Sequence, residues 1–155
     1  MAVAGIFHTG LTVSDLDRSI AFYRDALGLE LVNRWDSAQP YLRRIVGFPE
    51  AELSIALLRV PGLLAGVSGH HIELLEYRAP RGTRGDARTC NPGNVHVSFV
   101  VEDLDAVYRE LSARGVRFKS PPVVIDHGRN QGAKAVYLLD PDDITLELVQ
   151  PASRS

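Results

Sequence analysis

Apolar and polar positions alternate in two stretches of the chain, and each alternation passes directly into a helical spacing. In the first stretch, residues 7–13 place Leu11 on the apolar face of a strand and His8 on the opposite face. Asp15 then precedes apolar residues spaced three and four apart, which is typical of a helix with one buried face, and Gly28 ends this stripe. The pattern predicts a strand followed at once by a capped helix.

The second stretch repeats the first one in strict register. Residues 93–106, GNVHVSFVVEDLDA, place Val97 on the apolar face of a strand and His96 on the other face. Asp103 precedes the second helix, which ends at Gly115. The histidines (positions 8 and 96) and the aspartates before the helices (positions 15 and 103) are all 88 positions apart. The sequence therefore predicts a tandem repeat of one module, with a histidine at the same place on each first strand.

Three strands follow each predicted helix. In the first half they cover residues 29–35, 51–60 and 71–77, with an irregular segment at 36–50. In the second half they cover residues 116–119, extended by 123–126, then 133–139 and 144–149, with a loop at 127–132 and a turn at 140–143. Each half is thus a βαβββ module with its helix on one face of the sheet, and the predicted fold class is α+β.

Length and composition fit a single globular domain. The 155 residues divide into module one at 1–78, a Gly-, Arg- and Pro-rich linker at 79–92 and module two at 93–155. A net charge of −2 gives no electrostatic case for nucleic acid or an anionic membrane, so the expected partner is a small molecule. The lone Cys90, an N-terminus without a basic segment and the lack of a long apolar run predict a cytoplasmic protein.

Two carboxylates stand inside apolar strands and are the first candidates for chemistry. Glu147 lies in ITLELVQ and Glu73 lies in HIELLEY, and matching the two strands aligns one with the other. A buried carboxylate is costly unless a cation, a metal or strong hydrogen bonds satisfy it. Each half therefore offers one histidine and one glutamate, and if the sheets curve together, His8, Glu73, His96 and Glu147 can converge. Imidazole with carboxylate suits Mn, Fe, Co, Ni or Zn better than Ca or Mg.

Two neighbouring residues compete with this assignment. His71 lies two residues from Glu73 and shares its face of the strand, so it is an alternative ligand. Glu76 has the opposite parity and is predicted to face solvent, where it would pair with an arginine. A single strand histidine or glutamate is more often structural than a ligand, and it is the repeated register that favours a metal site.

These segments resemble the vicinal oxygen chelate superfamily, which includes glyoxalase I, methylmalonyl-CoA epimerase, extradiol dioxygenases and bleomycin- and fosfomycin-resistance proteins. The resemblance covers nearly the whole chain and is carried by HTGLTVSDLDRSIAFYRDALGLEL, HIELLEY, HVSFVVEDLDAVYRELSARGVRF and YLLDPDDITLELVQ. It implies paired βαβββ modules that form a cupped, incomplete barrel around one divalent metal ion. The implied ligands are His8, Glu73, His96 and Glu147.

The chain also departs from its relatives in ways that bear on function. Glyoxalase I typically has an arginine shortly after the first histidine, where residues 9–12 of this chain read TGLT. Methylmalonyl-CoA epimerases often have glutamine in place of Glu73, and the insert VGFPEAELSIALLRVPG looks more like the epimerase-related branch. The turn at 140–143 reads DPDD instead of the usual DPDG. The resemblance is thus nearest to methylmalonyl-CoA epimerase or to lactoylglutathione lyase-like members.

Three functions remain open at this point. The first is a divalent-metal-dependent isomerase, epimerase or lyase that transfers a proton on a small carbonyl substrate through a metal-stabilised enolate. Glu147 is the expected proton-transferring residue, with Glu73 as the second candidate. The alternatives are an Fe(II) extradiol-type dioxygenase and a non-catalytic small-molecule binding or resistance protein.

Substrate contacts and assembly are less constrained by the sequence. The polar residues that could line the mouth of the pocket are Tyr41, Arg43, Arg44, His127, Arg129, Asn130, Gln131 and Lys134. Open sheet edges in each module predict a homodimer, with the two modules paired within one chain.

Overall fold

A computed structural model describes residues 3–62 and 70–152 of the chain. The chain divides into two compact units, residues 1–84 and 85–155, and this boundary falls inside the segment predicted as a linker. Each unit contains one mixed β-sheet with helices packed against it. The predicted α+β fold class is therefore confirmed.

Unit one contains four strands in the order β1-β4-β3-β2, with β1 parallel to β4 and the other neighbours antiparallel. Its elements are β1 (His8–Thr12), α1 (Leu16–Ala21), β2 (Glu30–Ser37), α2 (Pro40–Val46), β3 (Glu52–Arg59) and β4 (His71–Ala79). α1 begins as predicted at Asp15, whose side chain accepts the backbone N–H of Arg18. It continues into a π-helical turn, Phe22–Ala26, that the apolar spacing does not reveal.

Unit two repeats this topology with its strands in the order β5-β9-β8-β6, and β7 also pairs with β8. Its elements are β5 (Val97–Val100), α3 (Leu104–Ala113), β6 (Arg117–Phe118), β7 (Val123–Val124), β8 (Lys134–Leu139) and β9 (Thr145–Gln150). Asp103 caps α3 by accepting the N–H of Ala106. The longest of these helices has ten residues, and in the segments described here no helix is long and apolar enough to cross a membrane.

The helix α2 lies in a segment predicted to be irregular, so that prediction is wrong. Pro40 occupies the first turn, and Gly47 ends the helix at φ 78°, a left-handed conformation that glycine adopts without strain. Leu42 and Val46, one turn apart, pack against Leu53 and its neighbours on one face of the sheet. Seven residues are too few for a clear helical period, but proline at the start and glycine at the end were the available signal.

The predicted alternation of buried and exposed residues begins later than expected in both first strands. Phe7 and Val95 are 67% and 70% exposed and precede β1 and β5. Leu11 is buried and Val97 is half-buried, so the apolar face starts inside each strand. Phe7 and Val95 precede the first paired residues of β1 and β5, so no hydrogen-bonded neighbouring strand fixes the direction of their side chains.

In each unit, a side chain on the strand that comes last along the chain hydrogen-bonds to the N-terminus of the helix. Glu76 Oε2 accepts the backbone N–H of Leu16 at 2.9 Å, and Gln150 Oε1 accepts that of Leu104 at 3.0 Å. The prediction that Glu76 faces solvent is therefore wrong. Its side chain is half-buried against α1, where it satisfies a donor that the first turn of a helix leaves unpaired.

Candidate metal-binding half-sites

In unit one, the register of two parallel strands brings a histidine and a glutamate to the same face. β1 and β4 pair His8 with His71 and Gly10 with Glu73. His8 Nε2 lies 3.3 Å from Glu73 Oε2, and the side chains are 34% and 18% exposed. Within the described segments, His8 Nδ1 is buried without a hydrogen-bond partner, so Nε2 is the ring nitrogen that faces a partner.

Unit two has the same arrangement at the equivalent place. β5 is parallel to β9 and pairs Ser98 with Glu147. His96 immediately precedes β5, and its Nε2 lies 3.5 Å from Glu147 Oε2. These side chains are 40% and 20% exposed, which is close to the values in unit one. Each module therefore presents one partly exposed imidazole and one mostly covered glutamate side chain, facing each other.

The spacing within each pair fits two ligands of one ion. Two donors bound at about 2.0–2.2 Å with bond angles of about 90–109° lie about 2.8–3.6 Å apart. The observed separations of 3.3 and 3.5 Å fall in this interval. Both are longer than the roughly 2.7–3.2 Å of a usual N–H···O hydrogen bond. The donor set of imidazole and carboxylate suits a first-row transition metal or zinc.

Each unit taken by itself supplies two of the predicted ligands. Among residues 3–62 and 70–152, no three or more His, Cys, Asp or Glu side chains form a group that could hold an ion. A shell of His8, Glu73, His96 and Glu147 needs one pair from each unit. The four-ligand site therefore stays a prediction, while the geometry of the two half-sites is an observation.

His71 remains beside the unit-one pair. It is the backbone neighbour of His8 on the parallel ladder and is half-buried on the same face of the sheet as Glu73. The carboxylate of Glu73 is the group that His8 Nε2 faces. This geometry favours Glu73 over His71 as the ligand, with His71 next to it on the same strand.

A tyrosine that sequence reasoning missed distinguishes the unit-two pair. Tyr137 on β8 is the ladder partner of Glu147, and its hydroxyl oxygen lies 3.5 Å from His96 Nε2. The His96 and Tyr137 rings are tilted at 47° with centroids 5.0 Å apart. The alternation within the strand at 133–139 indicates the face of Tyr137, but only the register of β8 against β9 places it beside Glu147.

The structure assigns other partners to several predicted substrate contacts. Lys134 forms an ion pair with Asp105 of α3, so it faces the helix and not the Glu147 side of the sheet, contrary to prediction. His127 pairs with Asp126 in an exposed loop and is itself 93% exposed. Arg43 donates from Nε to the carbonyl oxygen of Ala51 at 3.1 Å. The remaining predicted contacts stay predictions, namely those of Tyr41, Arg44, Arg129, Asn130 and Gln131.

Comparison with known proteins identifies relatives along the whole chain. A family model described as Glyoxalase/Bleomycin resistance protein/Dioxygenase superfamily matches residues 5–148. The 2-epi-5-epi-valiolone epimerase of an Actinomyces species is 32% identical over 148 residues, covering 93% of this chain and 78% of that protein. The lactoylglutathione lyase of Schizosaccharomyces pombe is 27% identical over 163 residues, covering 96% of this chain and 48% of its own. The chain thus spans about half the length of that lyase.

Solved structures share the fold. A glyoxalase family protein from Bacillus cereus matches with a TM-score of 0.78 and 22% identity, covering 99% of this chain and 97% of its own. A fosfomycin resistance protein from Listeria monocytogenes, crystallised with Mn(II) and sulfate, matches with a TM-score of 0.63 and 19% identity, covering 99% and 95%. At these identities the likeness concerns the fold.

Proposed function

We propose that this chain, which belongs to the glyoxalase/bleomycin resistance protein/dioxygenase superfamily, is a metal-dependent isomerase or epimerase of a small carbonyl compound. The observation that carries the proposal is the pair of equivalent half-sites. His8 faces Glu73 at 3.3 Å, and His96 faces Glu147 at 3.5 Å. Both separations suit ligands of a shared divalent ion, and both pairs stand at the same register position in their modules.

His8, Glu73, His96 and Glu147 are the proposed ligands of one divalent ion per chain. When bound, such an ion would supply Lewis-acid chemistry toward neighbouring oxygens of a carbonyl substrate. The imidazoles contribute neutral donors, and the two carboxylates balance the charge of the ion. The metal of the Listeria protein supports this assignment by fold likeness.

Glu147 is the proposed base. Its carboxylate takes the proton from the carbon next to the carbonyl group, which breaks the C–H bond and leaves the electron pair delocalised toward the carbonyl oxygen. Inversion at that carbon requires a proton to return from the opposite face. Glu73 is the proposed relay: its carboxylate would take a proton from water and pass it to the carbon, while Glu147 releases the abstracted proton to water. The surroundings support these roles, because Glu147 has the hydroxyl-bearing Tyr137 as its ladder partner whereas Glu73 has the apolar Leu57. A substrate oxygen that gains negative charge would find a hydrogen-bond donor beside Glu147.

The proposed substrate is a ketone with an adjacent oxygen. The relative from Actinomyces is an epimerase by name, which supports inversion at a carbon of the substrate. The segment TGLT at residues 9–12 offers no cation for a glutathione carboxylate, which favours epimerisation over a glutathione-dependent lyase.

Proton exchange in heavy water tests this proposal. Metal-loaded protein should exchange the hydrogen beside the carbonyl of a small α-hydroxy ketone, followed by NMR, and chelator-treated protein should not. Glu147→Gln should keep a metal-binding oxygen but lower exchange by roughly 10²-fold or more at matched metal occupancy. Glu73→Gln should lower exchange less, since the resembling epimerases often have glutamine there.

Three results would contradict the proposal in whole or in part. If Glu147→Gln exchanges as fast as the parent while Glu73→Gln does not, the two carboxylates have the opposite roles. If no ketone exchanges but the Fe(II)-loaded protein consumes oxygen with a catechol, the chain is a dioxygenase. A protein that binds ligands without exchange or oxygen uptake would instead match the non-catalytic binding members.

A further inference from the structure

The two modules surround their equivalent carboxylates with different side chains. In unit two, Tyr137 is the ladder partner of Glu147. In unit one, the partner of Glu73 at the same register position is Leu57. The two modules therefore have equivalent histidines and glutamates but different ladder partners for the glutamates. The partner is polar in unit two and apolar in unit one.

The asymmetry extends to the next strand of each sheet. The backbone N–H of Lys119 donates to the carbonyl oxygen of Tyr137 at 2.9 Å, which continues the ladder between β6 and β8. The residue that pairs with Leu57 from the corresponding strand of unit one is Asn33. Unit two therefore has Tyr137 and Lys119 at the positions where unit one has Leu57 and Asn33.

The Lys119 side chain is directed along the face that carries Glu147. Its Nζ donates to Thr145 Oγ1 at 3.0 Å and lies 5.6 Å from the centroid of the Tyr137 ring. Thr145 is 3% exposed and stands two residues before Glu147 on β9, so both side chains share one face of the sheet. Same-face neighbours on a strand are about 6.6–6.8 Å apart, so the hydroxyl that holds the ammonium belongs to the residue next to Glu147 on that face.

Lys119 differs in its partners from three other basic residues of its unit. Lys134, Arg117 and Arg114 each form an ion pair with a carboxylate. In the part of the chain that the structure describes, Lys119 forms no ion pair, and Thr145 occupies one of its three N–H donors. Lys119 is itself an exposed residue, and most surface lysines extend the ammonium into water over an apolar stem. Here a buried hydroxyl and an aromatic ring hold the ammonium against the sheet, with donors left for a ligand.

We propose that Lys119 binds an anionic oxygen group of the substrate, a carboxylate or a phosphate, with Tyr137 as the residue that positions its ammonium. The inference rests on the proposed function and deepens it, because it makes the substrate an anionic carbonyl compound. Two glutamate ligands would cancel the charge of a divalent ion, so the half-sites alone offer no net attraction for an anion. Lys119 supplies that charge beside Thr145, the residue next to Glu147 on the same face of β9.

Calorimetry with three chelating probes tests the inference without relying on turnover. Acetohydroxamate presents two adjacent oxygens and no anionic arm, succinohydroxamate adds a carboxylate, and phosphonoacetohydroxamate adds a phosphonate. Metal-loaded parent protein should bind at least one armed probe roughly tenfold or more tightly than acetohydroxamate. The arm that increases the affinity shows whether Lys119 binds a carboxylate or a phosphate-like group.

A matched set of variants assigns the gain to Lys119. Lys119→Met should remove the preference for the armed probe and leave acetohydroxamate binding unchanged, and Lys119→Arg should retain much of the preference. Tyr137→Phe keeps the ring beneath the ammonium and should retain the preference, whereas Tyr137→Leu, the residue of unit one, should lose it. Lys134→Met is the control, because Lys134 is paired with Asp105 on the helix side of the sheet.

The outcomes separate this inference from the proposed function. Equal affinity of the parent for all three probes, or a preference that survives in Lys119→Met, overturns the assignment of Lys119 while leaving the chelating site in place. Failure of every probe to bind metal-loaded protein overturns the chelating site and, with it, the anion subsite.

Discussion

Individual side chains decide what each half-site can hold. His8 and His96 point Nε2 at a glutamate oxygen, and both glutamates are mostly covered while both imidazoles are partly exposed. This arrangement covers the carboxylates and leaves the two imidazoles partly accessible to solvent. The covered carboxylates need a cation or hydrogen bonds to offset lost hydration, which is the physical reason for expecting an ion between the members of a pair.

We expect purified protein to hold about one divalent ion per chain and His96→Ala to lose most of it. His96 precedes β5 and its side chain is 40% exposed, so its removal should leave the packing of α3 intact. Metal content by atomic emission, with circular dichroism for the fold, measures both effects. His127→Ala is the control, because that imidazole lies in an exposed loop. Full occupancy in His96→Ala would rule out the site.

Among the elements, the repeated anchoring of α1 and α3 links the helices to the strands that carry the glutamates. Glu76 and Gln150 each follow a predicted ligand by three residues on β4 and β9, and each accepts an N–H at the start of a helix. The opposite parity places them on the helix side while Glu73 and Glu147 face the other way. One strand thus fixes the helix on one face and presents a carboxylate on the other.

Glu76→Ala should lower the free energy of unfolding by about 1–2 kcal/mol, because the N–H of Leu16 loses its acceptor. Glu76→Gln should retain most of the stability, since Gln150 performs the same contact in unit two. Urea denaturation compares the three proteins, with Glu52→Ala, an exposed change on β3, as the control. Equal losses in the alanine and glutamine variants would show that charge at the helix terminus matters, and not the acceptor.

The linker has local structure of its own, and one carboxylate reports on it. Hydrogen bonds from the Arg88 side chain first, then from the Arg88 backbone and from Asn91, lower the pKa of Asp86 to about 2. Because this pKa is depressed, the contacts stabilise the linker fully above the unfolded value near 3.8 and are lost as the pH falls through about 2. NMR titration of the Asp86 carboxyl carbon should give a midpoint near 2, and Arg88→Ala should move it up toward 3.8. A normal midpoint in the parent would contradict these contacts.

At the scale of the whole molecule, sheet edges and exposed apolar residues bear on assembly. β1 and β5 are terminal strands in the order of their own sheets. Val100 on β5 and Ile45 on α2 are 74% and 75% exposed, and large exposed apolar groups are common where proteins associate. Terminal strands also offer unpaired backbone groups to a second chain.

We therefore expect a homodimer in solution, with about twice the 17.0 kDa mass of one chain. Sedimentation velocity at micromolar concentration measures this mass. Val100→Lys should weaken association if the β5 edge takes part, because a charge would then be buried at the contact, whereas Val3→Lys on the exposed N-terminal segment serves as the control. A monomer at micromolar concentration in the parent would count against the prediction.

The sequence by itself determined the repeat, the two capped helices and the faces of the strands. Capping by Asp15 and Asp103 is a local event, because a side chain bonds to a backbone N–H three residues later. Strand parity is also local, since successive side chains alternate whatever lies next to the strand. These two local rules give the face of His8 within its strand and the face of Glu73 within its strand, and the strict register extends the same reasoning to module two.

Only the tertiary structure decided which strands lie side by side. Parity shows the face on which Tyr137 stands but not that its neighbour across the ladder is Glu147, because strand register depends on residues distant in the chain. The same limit hid the contact of Glu76 with the start of α1. The short helix α2 is held by the packing of Leu42 on the sheet rather than by its own period, since a helix of seven residues is marginal without tertiary contacts.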